Sequence, residues 1–272
     1  MSQPTEKLAV VDPIWSAMRD EALQMAAVEP AMAAMIHNAV LVHDSLEAAL
    51  TARLAGKLAS GDLSALQLHP LFDEAFAADA EIAGSLRADI AAVRDRDPAS
   101  RSVLKPLLFL KGFQALATHR IAHWLWLHGR QPLALHLQSR SSEVFGVDIH
   151  PAARFGRGVF IDHATGVVVG ETAVVEDDVS MLQGVTLGGT GKETGDRHPK
   201  IRRGVLLSAG AKVLGNIEIG AYAKIGAGSV VLEAVPAGCT AAGVPARLVG
   251  KCGCDNPARE MDHSLPPAPP EA

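Results

Sequence analysis

From Ile149 to Val235 an apolar residue returns at every sixth position, and a small or apolar residue follows it four places later. The lead positions are Ile149, Phe155, Ile161 and Val167, then after a two-residue slip Val175, Met181 and Leu187. After a longer interruption they resume as Ile201, Leu207, Val213, Ile219, Ile225 and Val231. A helix repeats its apolar face at about 3.6 residues and a strand at 2, so this period belongs to neither element alone. It suits a parallel β-helix in which each hexad is one short strand and one turn, and stacked coils bury what no single coil can. The expected inward partners include Ala153, Val159, Thr165, Val179 and Val185, with Glu171 as the one misfit.

The rest of the chain reads differently. Twenty of the 25 glycines lie after residue 145, which divides the chain into a helical domain at 1–145, a β-helix at 146–250 and a tail at 251–272. In the first part apolar residues recur at helical spacing. Asp12-Pro13 reads as an N-cap followed by proline at the first helical position, opening a helix through about Glu29. Further helices are predicted over Ala31–Leu58, Asp62–Phe76, Asp79–Val93, Pro106–Leu127 and Pro132–Ser142, with a turn at Asp97-Pro98. Such a domain is suited to capping the open end of the solenoid and to subunit contacts. Trp124 and Trp126 fit core or interface packing.

A net charge of -5 and the lack of Lys/Arg blocks argue against nucleic acid or an anionic membrane as the main partner. Lys111, His119, Arg120 and His123 interrupt the most apolar stretch, so no membrane helix is expected. Met1 to Val10 has no signal-peptide core, which places the chain in the cytoplasm. Cys239, Cys252 and Cys254 are the three cysteines. They give no disulfide framework. Cys252 and Cys254 with His263 nearby are expected to be free thiols, because a structural zinc site needs four ligands. The Pro-rich end from about Asn256 reads as a disordered tail.

Two places in the array carry more than turns require. Asp162-His163 follows the lead residue Ile161 and reads either as a surface turn or as a general base, since imidazole accepts a proton near neutral pH. Asp148 lies one coil earlier, where it is a candidate to orient His163 by accepting a hydrogen bond. Between Leu187 and Ile201 a Gly-rich, polar excursion at 188–200 leaves the coil and is suited to a projecting loop. On it, Arg197 offers a planar fork that clamps carboxylates, and His198 is a second candidate.

The run Asp148-Ile149-His150-Pro151-Ala152, then Asp162-His163-Ala164-Thr165-Gly166, Val185-Thr186-Leu187-Gly188-Gly189-Thr190-Gly191, Gly195-Asp196-Arg197-His198-Pro199-Lys200 and Ala241-Ala242-Gly243-Val244-Pro245-Ala246 resembles the serine O-acetyltransferases among the hexapeptide-repeat acyltransferases. The likeness extends back through Arg94-Asp95-Arg96-Asp97-Pro98-Ala99 and Leu110-Lys111-Gly112-Phe113, over roughly residues 90 to 251. It implies an α+β chain whose helical domain precedes a left-handed parallel β-helix. It also implies homotrimers, or dimers of trimers, with active sites between subunits, and acetyl transfer from acetyl-CoA to the hydroxyl of L-serine with no metal. Carried over residue by residue, His163 is the base and Asp148 its orienting partner, while Asp97, Asp162, Arg197 and His198 form the amino-acid pocket. The oxyanion formed on the thioester carbon needs a donor, for which the backbone N–H groups of the Gly-rich loop or His198 are candidates. Gly189, Thr190, Ala209, Gly210, Ala227 and Gly228 would border the pantetheine arm, and Lys224 and Arg247 would meet the CoA phosphates. L-cysteine is implied as a feedback inhibitor of the same pocket. Docking into O-acetylserine sulfhydrylase needs a carboxy-terminal isoleucine in this family, and no isoleucine follows Ile225 here, which speaks against that partnership. A metal lyase on the same solenoid would need His150, His163 and His198 to converge.

Overall fold

The computed structural model describes residues 12–191, 193–253 and 255–265. Met1–Val10, Cys254 and the Pro-rich end from residue 266 lie outside the described residues. Helix α1 (Pro13–Val28) starts as the sequence predicts: Asp12 Oδ1 accepts from the Ile14 and Trp15 N–H groups at 3.1 and 3.2 Å. The predicted Ala31–Leu58 helix is broken in two. A 3₁₀ turn (Pro30–Met32), the short α2 (Ala33–Ile36) and a π turn (His37–Leu41) precede α3 (Leu46–Leu58). The break is held because Arg19 donates to the carbonyls of Leu41 and His43, and Ser45 caps the new start by accepting from the Ala48 N–H.

Helices α4 (Ala65–Ala78) and α5 (Ala80–Arg96) follow. The predicted Pro106–Leu127 helix is also split, into α6 (Leu104–Leu108) and α7 (Lys111–Leu127). The restart has a steric reason: a Cβ on Gly112 would lie 2.0 Å from the Ile161 carbonyl oxygen, so the first turn of α7 rests directly on solenoid backbone. Helix α8 (Gln131–Phe145) ends on Gly146, whose φ of 67° closes it in the left-handed conformation.

The solenoid begins at the next residue. Its first coil is β1 (Val147–Ile149), β2 (Arg154–Phe155) and β3 (Phe160–Ile161). The second is β4 (Val167–Val169), β5 (Val174–Val175) and β6 (Ser180–Met181), and the third β7 (Thr186–Gly188), β8 (Lys200–Ile201) and β9 (Leu206–Leu207). Then come β10 (Lys212–Leu214), β11 (Glu218–Ile219), β12 (Lys224–Ile225), β13 (Val230–Val231) and a closing pair, β14 (Thr240–Gly243) and β15 (Ala246–Val249). Coils stack into three sheets: A (β1-β4-β7-β10-β13), B (β2-β5-β8-β11) and C (β3-β6-β9-β12-β14-β15). All pairings are parallel except β14 with β15.

The register moves the two-residue slip. Ile149 pairs with Val169, and Val169 with Leu187, so the lead residue of the second coil is Val169 rather than Val167. The two extra residues therefore fall between Ile161 and Val169, in the turn that carries Asp162 and His163. The shift also removes the misfit. Ala173, 1% exposed, takes the inward place assigned to Glu171, and Val167 is fully buried where Thr165 was expected to be.

A buried ion pair ties the two architectures together. Arg120 of α7 donates through Nε and Nη2 to Asp89 of α5, at 2.9 and 3.0 Å, and through Nη2 to the Gly156 carbonyl at 2.7 Å. Asp89 also accepts from the Val159 N–H. Burial pushes the Asp89 carboxyl up to about 6, against the opposing pull of Arg120 and of the Val159 and Gly158 N–H groups.

Two expectations about the tail are corrected. Cys239 is joined to Cys252 in a disulfide, because the chain leaving β15 returns beside the last coil, so Cys252 is no free thiol. Beyond it residues 255–265 fold against the domain: α9 (Pro257–Glu260) packs on α5, and Ser180 Oγ donates to the Ala258 carbonyl at 2.8 Å. Met261 joins Ala92, Val93, Leu110 and Phe160 in a small apolar cluster, which is why this stretch folds despite its polarity.

Replacing Asp89 with alanine would leave Arg120 buried and unpaired between the two domains. Urea unfolding of Asp89→Ala is expected to show a loss of about 3–5 kcal/mol.

Candidate active site

The corner between sheets C and A carries the first group of site residues. Asp162 and His163 follow β3, and His163 and Ala164 stand at φ of 55° and 63°. Two successive non-glycine residues in the left-handed region are costly and need outside support. Support comes from several sides. Asp162 Oδ1 accepts from the His163 N–H at 2.8 Å, the Thr165 N–H donates to the His163 carbonyl at 2.8 Å, and Lys111 Nζ, at the start of α7, donates to Thr165 Oγ1 at 2.5 Å. Ala164 is fully buried while the His163 side chain is 70% exposed. The turn thus pins its small residue inward and its imidazole outward.

Asp97 reaches the same place from the end of α5, where its Oδ1 accepts from the Ala99 N–H at 2.8 Å. With Lys111, Gly112, Phe160, Asp162 and His163 it lines a cavity of about 480 Å³. Two carboxylates and an imidazole on one wall suit a ligand carrying a cation and a hydroxyl. The sequence reading missed Lys111 and Gly112 as parts of this wall. Both lie in the Leu110-Lys111-Gly112-Phe113 run, and a glycine at a helix start was the available signal.

The second group sits at the other end of sheet A, on the corner between A and B. Arg197 Nη2 donates to Glu171 Oε2 at 2.8 Å and Nη1 to the Gly195 carbonyl, which leaves three of its five N–H donors for a ligand. His198 is 7% exposed, and its ring lies so close over Gly170 that a Cβ there would be 2.0 Å from Nε2. Burial, then the neighbouring Arg197, holds this imidazole below its usual range, with Lys200 and His150 adding to the effect and Glu171 opposing it. Lys200 Nζ donates to Asp196 Oδ1, the Thr172 carbonyl and the His198 carbonyl, closing the base of the loop.

Within one chain the two groups stay apart. A three-residue strand at ~3.3 Å per residue sets the two corners on the order of 10 Å apart, and among the described residues no hydrogen bond or ion pair links them. Asp148 also departs from its expected contact. It lies on β1 opposite Val168, and its Oδ1 accepts from Gln138 Nε2 of α8 at 2.7 Å. The carboxylate facing His163 Nε2 is instead Asp162 Oδ2 at 3.6 Å. His163 stands two residues past its lead Ile161, on the C–A corner, as Ala209 and Ala227 do past theirs, whereas Asp148 lies mid-strand in sheet A. His150 packs edge-on against Trp126, and His263 Nδ1 is 3.0 Å from Ser208 Oγ. Among the described residues no three ligating side chains converge as a metal site.

The expected cofactor residues divide in the same way. Gly210 and Gly228 continue a glycine column up the C–A corner above Gly166 and Gly184, with a Cβ on Gly184 only 3.4 Å from the Gly210 Cα and one on Gly210 3.9 Å from the Gly228 Cα. With Ala209 and Ala227 they leave a smooth edge that leads to His163. Gly189 and Thr190 stand on the A–B corner, Gly189 against Arg197. Arg247 is exposed on β15. Lys224 is a correction: it is 7% exposed, and its ammonium donates to the carbonyls of Asp262 and Ser264, so as folded it is not free to meet a phosphate.

Residues 14–118 match the family described as serine acetyltransferase, N-terminal, and residues 198–233 match the bacterial transferase hexapeptide family (six repeats). A serine acetyltransferase of Salmonella typhimurium is 57% identical over 259 residues, covering 95% of this chain and 94% of the relative. The chain belongs to the serine acetyltransferase family. Solved serine acetyltransferases superpose closely. One described as a complex with cysteine has a TM-score of 0.91 at 53% identity, over 93% of this chain and 98% of that one. One from Brucella abortus in complex with coenzyme A has a TM-score of 0.89 at 56% identity, over 92% of this chain and 100% of that one. Among the described residues no helix is long and apolar enough to cross a membrane.

Alanine at Gly170 has to displace the His198 ring. Gly170→Ala is expected to keep its thermal midpoint within a few degrees while the family's acetyl transfer falls at least about tenfold, measured by CoA release.

Proposed function

We propose that this chain transfers the acetyl group of acetyl-CoA to the hydroxyl of L-serine, giving O-acetyl-L-serine and CoA, in the cytoplasm. The observation that carries the mechanism is the separation of the two groups at the two corners flanking one sheet. Lys111 is engaged by Thr165 at the first corner, and Glu171 and Asp196 are engaged by Arg197 and Lys200 at the second, so each corner offers a ligand mainly one sign of charge. A second copy laid beside the first brings the C–A corner of one against the A–B corner of the other. Three copies close the arrangement with sheet A facing the axis. The active unit is therefore a homotrimer, and the helical domains offer a surface for pairing two trimers.

In that composite site Asp97 and Asp162 receive the serine ammonium, and Arg197 and His198 of the neighbouring copy receive its carboxylate. His163 removes the hydroxyl proton as the oxygen attacks the thioester carbon, and the CoA thiolate departs. General-base assistance of this kind contributes roughly 10²- to 10⁴-fold, and holding serine beside the thioester adds an entropic advantage. Asp148, held by Gln138, supports the imidazolium in the assembled trimer. The pantetheine arm lies along the glycine column of the C–A corner, bordered by Ala209 and Ala227 and faced by Gly189 and Thr190 of the adjacent solenoid, with Arg247 toward the phosphates. The cysteine complex of a relative supports L-cysteine as an inhibitor in the amino-acid pocket, since it presents the same ammonium and carboxylate.

CoA release with L-serine, L-homoserine, a sugar and no acceptor tests the substrate. L-serine alone is expected to drive turnover, and His163→Ala to lower it by at least about 100-fold with little change in acetyl-CoA binding. Turnover with another acceptor and none with serine would refute the pocket assignment.

Assembly is tested by complementation. His163→Ala and Arg197→Ala are each expected to be nearly inactive, whereas trimers assembled from a mixture regain activity, because an intact His163 meets an intact Arg197 across some interfaces. A site built within one chain would give no recovery.

A further inference from the structure

At the A–B corner the Thr172 side chain has no part in the proposed transfer. Thr172 follows Glu171, in the first turn after β4, and its two polar groups converge on His198. Its main-chain N–H lies 3.1 Å from His198 Nδ1, and its Oγ1 lies 2.9 Å from the same nitrogen. The same Oγ1 accepts from the N–H groups of Arg197 and His198, at 3.0 and 3.1 Å. With two N–H groups donating to it, the hydroxyl has one proton to give, shared between His198 Nδ1 and the Asp196 carboxylate, while the Thr172 N–H donates to Nδ1 alone.

A main-chain N–H only donates, so the nitrogen it faces must carry a lone pair. The neutral His198 ring then holds its one proton on Nε2. Among the described residues no hydrogen bond is made to Nε2, and the ring lies tight against Gly170. We infer that Thr172 is a positioning residue, whose hydroxyl and N–H lock His198 as the Nε2–H tautomer and present that proton at the A–B corner as a fixed donor to an anionic oxygen. The same hydroxyl joins the main chain of Arg197 and His198, so one side chain sets the height of both ligand-facing residues above the coil.

The charged and titratable groups around His198 are Arg197, Lys200, His150 and Glu171, with Asp196 close to the Thr172 hydroxyl. Three of the first four resist protonation of the ring, and two donors on Nδ1 resist it further. Removing the hydroxyl makes the imidazole easier to protonate. An imidazolium appears in the variant at higher pH than in the wild type, so the acidic limb of the rate profile moves up.

This inference rests on the proposed serine acetylation for its consequence in turnover, but its structural half is tested without substrate. ¹⁵N-histidine NMR of the intact protein, with His198 assigned by the signals lost in His198→Gln, is expected to show a proton on Nε2 and none on Nδ1. A protonated Nδ1, or a mixture of tautomers, overturns it. In kinetics, Thr172→Val is expected to lower kcat/KM for serine at least about tenfold. The KM for acetyl-CoA stays within about twofold and the acidic limb shifts upward, while Thr172→Ser retains wild-type rate and profile. Wild-type behaviour of the valine variant, or a serine variant as impaired as valine, overturns the role. If Thr172→Val does not fold, the wild-type spectrum and Thr172→Ser still decide. If the wild type fails to acetylate serine, the functional reading falls while the tautomer measurement still judges Thr172.

Discussion

Main-chain hydrogen bonds between coils, such as those from the Val168 N–H to the Val185 carbonyl and from the Thr186 N–H to the Ala211 carbonyl, both at 2.9 Å, hold each strand directly over the one beneath. The inward side chains then stack in columns, Ile149 under Val169, Leu187, Val213 and Val231. A strand cannot take an extra residue without turning its column inside out. Length can change only at the corners. The B–C corner never changes, since Phe155 to Ile161, Val175 to Met181, Ile201 to Leu207 and Ile219 to Ile225 are each one hexad. The departures all fall on the two corners that flank sheet A, and both candidate site groups are there.

The first coil has no coil below it, and the helical domain fills that place. Helix α8 runs into β1 through a single left-handed glycine, α7 rests on the Ile161 carbonyl where Gly112 permits it, and Asp89 with Arg120 reaches across to Gly156 and Val159. The contacts that cap the solenoid also shape the His163 turn, because Lys111 and Gly112 are the start of the same helix. Capping and site-building are one set of interactions here. That explains how two successive left-handed residues, His163 and Ala164, persist.

Much of this was legible in the sequence, for a physical reason: a six-residue period can be satisfied by few folds, and a 14-residue gap in it must leave the coil. His163, Arg197 and His198 stood out as titratable or cationic residues where turns ask for none. What was not legible is instructive. The position of the slip was misread because Val167 and Val169 are both apolar and both inward, and only the register with Leu187 distinguishes them. Glu171 looked like a defect when it was the sign of that shift, and it serves as the partner of Arg197. The breaks in the two long predicted helices depend on Arg19 and on the Ile161 carbonyl, both distant in sequence. The Cys239–Cys252 bond and the packing of residues 255–265 depend on where the chain goes after β15, and no local pattern encodes that. Lys224 drew attention as a charge on a coil exterior, but the tail covers it.

The constancy of the B–C corner has a consequence for altering this molecule. A corner can be lengthened without resetting any strand, so corners are addressable in a way that a packed core is not. The two beside sheet A are already occupied by the excursions that the candidate chemistry requires. The B–C corner carries none and lies on the opposite side of the solenoid from sheet A. A peptide tag or a binding loop grafted there on an upper coil, clear of the Gly156 and Val159 contacts that dock the helical domain on the first, would ride on a rigid scaffold while both halves of the site keep their register.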